Sequence, residues 1–421
     1  MKTKYLIFCF CLIIYSFLTP VFAKPGRIIS VQDNAGHPIA KATFFNKTKN
    51  YTLLFNSEGK LQFDKQPLDK NDHILITCVG YKHKSITGRA ILNDKELIIT
   101  LDVDLVALNE VIVKNTPVSL SFKNVKSLPF PMVYNACVAD SLYAYTISGF
   151  SGRSMLTQAL KYDPHANEWS ELANGLTPRV QATACYVPAT QKIYVIGGIT
   201  SWLHFIYADN IEAIDVKTGK AEILPVKNPM PTAYGGSAVW ENKIYLFGGA
   251  TGANDERSGG NIGSGTFYEF DPSTLTFTKL PNMPQEQQTA GTIVDGILYT
   301  FGGYEPQYRT PNKNIYAYDI KNRLWKLIGK LPRNVSANGV AACGHLIFVA
   351  GGYEDNAFTG FLNTRTNKFT QIKSDVIGRR HANAVVLSNH LMIIGGGGVL
   401  SVYGMSNVQA VDLKDVLAAE E

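Results

Sequence analysis

At 421 residues, with 45% hydrophobic and 18% charged residues, the chain is too long for one ordinary core and too apolar for a disordered segment. Its formal charge of +6 drops to +4 when Lys2 and Lys4 of the leader are set aside. No basic stripe stands out, so nucleic acid is excluded as a partner class. Glycine (36) and tyrosine (21) are plentiful and long helix-period segments are missing, which points to an all-β protein of more than one domain.

Residues 1–23 read as a secretory signal peptide. Lys2 and Lys4 form the basic start, Tyr5 to Leu18 the apolar run, and Val21-Phe22-Ala23 a small-x-small cleavage site. The run is too short to span a bilayer and no second one follows. The expectation is an exported monomer without a transmembrane segment, in the periplasm or at the cell surface. Four cysteines lie beyond the leader: Cys78, Cys137, Cys185 and Cys343. Cys137 and Cys185 each stand twelve residues before a repeat glycine, at Gly149 and Gly197. That spacing suggests matching positions on neighbouring strands, which leaves a disulfide open as the alternative; free buried thiols are the leading expectation, because Cys packs as a small hydrophobe. No CxxC or Cys/His cluster is present, so no metal and no cofactor are expected.

Residues 24–114 carry short apolar runs with turn residues between them: Arg27 to Val31, His37 to Phe44, Leu61 to Phe63, Ile74 to Val79 and Leu97 to Leu101. This spacing predicts a small β-sandwich. The turn at Asp33-Asn-Ala-Gly36, the Ser57-Glu-Gly segment, Gly80-Tyr81 and Leu108-Asn-Glu-Val-Ile-Val113 follow one another in the order of a carboxypeptidase regulatory-like domain of the Bacteroidetes type, which the segment resembles. The resemblance implies a rigid spacer or docking module without peptidase chemistry.

Residues 115–413 are built on one motif. Lys192-Ile-Tyr-Val-Ile-Gly-Gly198 recurs as Lys243 to Gly249, Ile297 to Gly303, Leu346 to Gly352 and Leu391 to Gly396, with a weaker copy at Leu142 to Phe150 in which Phe150 replaces the second glycine. Leading glycines at 149, 197, 248, 302, 351 and 395 give a period of roughly 50 residues. The pattern resembles the kelch repeat and implies a six-bladed β-propeller. The last repeat lacks an outer strand after Leu413, and an orphan outer-strand sequence precedes the first repeat. Residues 119–128 are therefore expected to complete the sixth blade, because an open ring would expose two apolar sheet faces. Residues 414–421 read as a C-terminal tail.

In such a ring the loop after each Gly-Gly strand shares a face with the loop that enters the next inner strand. On that face Ile199 to Asn210, Ala250 to Thr266 and Tyr304 to Asn314 are long, whereas the opposite loops are tight. Insertions gathered on one face mark a binding face. Its candidate ligand residues are Arg179, Trp202, Tyr234, Gln287, Tyr304, Arg309, Tyr353, Arg380 and His381. Aromatic planes with guanidinium and amide donors suit a sugar; the competing reading is that these side chains pack the loops. Copper chemistry of the kelch oxidase type needs imidazole-rich ligation, and only His204 and His381 lie on this face. The layout also resembles that of the exported bacterial kelch mutarotases (N-acetylneuraminate epimerases), although the leading domain departs from them. That resemblance implies a general acid and base, for which Glu305 and Glu354 of the two Gly-Gly-Tyr-Glu segments, with Arg380, are the candidates. The leading expectation is a non-catalytic binding protein for a glycan or a cell-surface protein; a sugar mutarotase or epimerase is the alternative.

Overall fold

The computed structural model describes residues 26–63, 66–78, 81–102, 119–201, 203–252, 261–354, 357–398 and 403–420. Trp202, Glu256, Arg257 and the Leu108–Val113 motif lie outside the described residues.

The leading domain is a two-sheet sandwich. One sheet runs Lys60–Phe63, Arg27–Gln32, Glu96–Thr100, with the last pair parallel; the other runs Tyr51–Leu54, Thr43–Asn46, His73–Thr77, Lys84–Thr87. Alternation places Ile29 and Val31 inside with Phe44, Phe55, Phe63, Ile74, Ile76 and Ile99, while Ile28 faces out. The strand expected at His37 to Phe44 begins only at Thr43. Pro38 has no N–H to give a ladder and makes only an isolated bridge to Gln32. Tyr51–Leu54 and the polar edge strand Lys84–Thr87 were not expected.

Six four-stranded blades follow. Their inner strands are Ala136–Ala139, Thr183–Val187, Gly236–Trp240, Gln288–Val294, Gly339–Cys343 and Asn383–Leu387. Neighbouring blades bury apolar faces against each other, for instance Cys185, Tyr194 and Ile196 against Ile244, Leu246 and Phe270. The kelch tryptophans reach back to the preceding blade: Trp325 Nε1 donates to Pro281 O at 2.9 Å, and Trp169 Nε1 to Lys126 O at 2.9 Å.

The glycine pair is an inter-blade joint. Gly197 and Gly198 both have positive φ (67° and 87°), and a Cβ on either would fall 2.4 Å from Thr232 O or 2.7 Å from Val180 O. The N–H of the pair's second residue donates to the next blade at every step: Gly149 to Arg179, Gly198 to Thr232, Gly249 to Gln287, Gly303 to Val335, Gly352 to Arg379 and Gly396 to Met132. This ring of bonds corrects the frame of the first repeat. Its pair is Ser148–Gly149, with Ser148 at φ 53°, and Phe150 lies beyond it, bridging Val133 as Ile199 bridges Val180. Cys137 and Cys185 are consequently one position out of step. Cys137 packs toward the sixth blade and Cys185 toward the third. Both are free, and burial pushes each thiol up to about 12.

The N-terminal segment closes the ring as expected. Lys123–Asn124 pairs antiparallel with Val408–Asp412 as the outer strand of the sixth blade, and Ser119–Leu120 pairs parallel with Lys373–Ser374. Leu120 and Phe122 enter a core with Val376, Leu391, Ile393 and Val411. Asp375 fixes the entry, accepting from Phe122 N at 2.6 Å and Ser121 Oγ at 2.8 Å. The tail expected after Leu413 forms a short helix, Lys414–Ala419, with Val416 buried in the same core.

Candidate functional site

The inter-blade bonds align the residues that approach the axis. Met132, Arg179, Thr232, Gln287, Val335 and Arg379 accept them. The next residue pairs with its own blade: Val133, Val180, Ala233 and Arg380 through isolated bridges, Gln288 in the strand ladder, and Ser336 by accepting from Tyr353 N. The residue after that is left-handed in five blades: Tyr134 (φ 59°), Gln181 (59°), Tyr234 (55°), Ala337 (54°) and His381 (52°). Backbone bonds link them around the mouth, from Gln181 N to Tyr134 O, Tyr234 N to Gln181 O and His381 N to Ala337 O. Non-glycine residues held at positive φ are costly and persist only where the surroundings fix them. The fourth blade is one residue shorter: Gln288 pairs with Tyr304 and Ala290 already with Phe301, across a register shift. It contributes no such residue.

Four of these side chains converge on the axis. The ring of Tyr134 lies 4.8 Å from His381 and 6.2 Å from Tyr234, and Tyr234 lies 5.3 Å from His381. Gln181 Nε2 donates to Tyr234 Oη at 2.6 Å. Burial raises both tyrosines above the usual phenol range. It also drives His381 down to about 3, helped by the charge of Arg380, so the imidazole is neutral at physiological pH. Tyr353 follows the glycine pair of the fifth blade. It is half exposed, 6.3 Å from His381, and carries the Arg380 guanidinium 4.9 Å above its ring. These residues and the inner strands below them line a cavity of about 200 Å³ that is open to solvent.

The two halves of the mouth differ. Over blades one to three, Val180, Ile199 and Ala233 form an apolar layer with Phe150, Met155 and Tyr207. Over blades four to six the corresponding residues are Gln288, Ser336 and Arg380. Inserted hairpins wall this face. Ile199–Ser201 pairs with Ile206–Tyr207, Ala250–Gly252 with Asn261–Gly263, and the fourth blade's central strands extend to Glu305 and Thr310. Tyr207 Oη bonds to Asn261 Oδ1, and Gly263 N donates to Gln307 Oε1 at 2.8 Å, so the three hairpins brace one another.

Tyr234, Tyr353, Arg380 and His381 therefore meet at the mouth. Arg179 and Gln287 do not, and these two expectations are corrected. Both are fully buried inside their blades. Arg179 bonds to Gly197 O at 3.1 Å and Glu212 Oε2 at 2.7 Å; Gln287 Nε2 donates to Gly302 O at 3.1 Å. Arg379 does the same with Gly395 O at 3.1 Å and Gln409 Oε1 at 2.8 Å. These three side chains cap the first glycine carbonyl of their own blade. Tyr304 is partly buried beside Gln288, and Arg309 is exposed at the hairpin tip. Glu305 accepts from Gln285 Nε2 at 2.6 Å within the fourth blade. Glu354 uses both oxygens on Ser336, from its N and its Oγ at 2.7 Å each. The two glutamates thus belong to separate networks, and Glu354 pins the residue before Ala337. Tyr134 and Ser336 were not among the candidates; the position two places after each acceptor of an inter-blade bond is the signal that locates Tyr134.

Among the described residues no group of three or more His, Cys, Asp or Glu could hold a metal, and no helix is long and apolar enough to cross a membrane. Residues 187–397 match the family described as the KLHDC2/KLHL20/DRC7 Kelch-repeats domain. The chain is 26% identical over 208 residues to human Kelch-like protein 23, covering 49% of this chain and 34% of that protein. It is 30% identical over 198 residues to N-acetylneuraminate epimerase 1 of Escherichia coli O6:H1, covering 42% of this chain and 48% of that protein. The chain thus spans about a third to a half of these relatives. The solved structure of YjhT superposes with a TM-score of 0.58 at 17% identity, over 69% of this chain and 97% of that one, a likeness of fold.

Proposed function

Because the chain belongs to the kelch-repeat family, we propose that its propeller is a non-catalytic binding module that presents the hairpin-walled mouth to a glycan. The observation that carries this reading is the half-exposed Tyr353 with Arg380 stacked on it, set beside His381 and Tyr134 on the face where the insertions gather. A flat aromatic face takes the C–H face of a sugar ring, and a guanidinium offers donors in a fixed fork. The inter-hairpin bonds preorganise that surface, which lowers the ordering cost of binding. The protein works outside the cytoplasm, in the periplasm or on the cell surface, and the leading sandwich acts as a carboxypeptidase regulatory-like spacer. A glycan array followed by calorimetry tests the reading. Binding that is lost in the Tyr353→Ala, Arg380→Ala double variant supports it; capture of a surface protein with no glycan signal replaces the glycan by a protein, and no binding of either kind refutes it.

A second reading is a sugar mutarotase, favoured by the 30% identity to N-acetylneuraminate epimerase 1. Against it stands the engagement of both Glu354 oxygens by Ser336. Anomer exchange of sialic acid followed by NMR decides: rates equal to buffer for the unmodified protein, Glu305→Gln and Glu354→Gln remove this reading.

A further inference from the structure

One sheet of the leading domain is buried on both of its faces. In the sheet that holds Thr43–Asn46 and His73–Thr77, the side chains of Phe44, Ile74 and Ile76 enter the sandwich core. Phe45 and Leu75 alternate with them, stand directly opposite each other in the ladder, and point the other way. An antiparallel sheet packed on one side commonly leaves its other side to water. The companion sheet does so, with outward Ile28 and Ile98 at 39% and 57% exposure. Phe45 and Leu75 are instead 0% and 1% exposed, and their outward neighbours Thr43 and Thr77 are buried too. The sequence carries the same mark: Thr43-Phe-Phe-Asn46 and Ile74-Leu-Ile-Thr77 lack the polar alternation of strands with one wet face.

The group that lies on Phe45 comes from the propeller. The Arg323 guanidinium stands 5.3 Å from the centre of the Phe45 ring. Arg323 belongs to the turn joining Thr310–Asp319 to Leu324–Lys330 in the fourth blade. That turn is at the end of the blade away from the mouth hairpin of Glu305 and Thr310. Arg323 is held there at φ 55°, and the same turn position in sister blades carries Asn167 (52°), Gly219 (71°), Leu275 (56°) and Asn367 (52°). Glycine and asparagine tolerate this conformation, whereas a larger side chain adopts it at a cost and persists where its surroundings hold it. Leu275 packs back on its own blade. Arg323 reaches across to the other domain.

We propose that the Phe45–Leu75 face of the sandwich is a docking surface for the fourth blade, with Arg323 on Phe45 as the anchor. The two domains then form one body. The sandwich is mounted on the tight-turn side of the propeller, and the hairpin-walled mouth is left open on the far side. The proposal does not depend on what the mouth binds.

The test measures backbone amide NMR relaxation on the full chain, unmodified and as Phe45→Lys and Arg323→Asn. Asparagine already occupies this turn position in two sister blades, so Arg323→Asn leaves the propeller intact. The unmodified chain gives one rotational correlation time for both domains. Phe45→Lys puts a charge into the interface and shortens the sandwich's value severalfold, while the propeller keeps its own. Arg323→Asn shortens the sandwich's value in the same direction. It decides the matter alone if Phe45→Lys unfolds the sandwich, which loss of that domain's amide dispersion reveals. Two correlation times in the unmodified chain, or a single one that neither variant changes, would overturn the proposal.

Discussion

Two adjacent arginines should have opposite consequences. Arg379 is fully buried and donates to Ile377 O at 3.0 Å, Gly395 O at 3.1 Å, Asn407 O at 2.9 Å and Gln409 Oε1 at 2.8 Å. Arg379→Ala removes that charge-assisted set and leaves a void at the joint between the sixth blade and the first. A hydrogen bond to a charged group contributes ~1.5–3 kcal/mol, and each acceptor stranded in the interior costs ~1–3 kcal/mol. These terms are not additive, because the four acceptors share one donor group and some relax toward water. The expected loss is about 3–5 kcal/mol, a value at the upper end for single substitutions. Arg380→Ala removes a guanidinium stacked on a half-exposed ring, for which ~0.5–1 kcal/mol is the scale. Urea unfolding followed by tryptophan fluorescence, run beside calorimetry with the best array glycan, separates the two. Arg379→Ala lowers the midpoint strongly and leaves the affinity of the folded fraction unchanged; Arg380→Ala does the reverse. Equal midpoints for the two variants, or full glycan affinity in Arg380→Ala, would refute the division of labour.

Three further outcomes follow from the same geometry. Phe122 is buried at the seam, so Phe122→Ala costs ~3–5 kcal/mol of propeller stability in urea, and an unchanged midpoint would mean the seam strand is dispensable. His381 has its pKa lowered from 6.5 to about 3 by burial, so the unfolded chain takes up its proton first as pH falls. Stability linked to this residue is complete above pH 6.5 and is lost toward pH 3, by up to about 1.4 kcal/mol per pH unit; between pH 6.5 and 5.5 the unmodified protein should lose more stability than His381→Gln, and parallel pH profiles would contradict it. Burial raises the thiols of Cys137 and Cys185 to about 12, so both react with Ellman's reagent only after unfolding, and rapid labelling of the native protein at either site would place them elsewhere.

The ring was legible because its joint makes a demand few residues meet. A positive φ with no room for a Cβ forces glycine at Gly197 and Gly198, and the period follows. The seam was legible because the sixth blade visibly lacked a strand. The site was less so, for a reason that Arg179 and Gln287 make plain. One position separates a side chain that caps a glycine carbonyl inside the blade from one that bridges toward the mouth, as Arg379 and Arg380 show in succession. That frame is set by backbone bonds between blades, and Ser148 hides it in the first repeat because a serine there breaks the Gly-Gly pattern. The fourth blade's missing mouth residue was invisible for a similar reason: one residue fewer before Ala290 leaves no trace in a period that already varies by several residues.

A crystal structure of the full chain with the strongest-binding glycan tests the central claim most directly. Density for a sugar ring against Tyr353 and Arg380, within reach of the channel mouth, is the predicted result. A ligand seated on the face of the tight turns near Asn242, Gly296 and Gly344, with the mouth untouched, would contradict it.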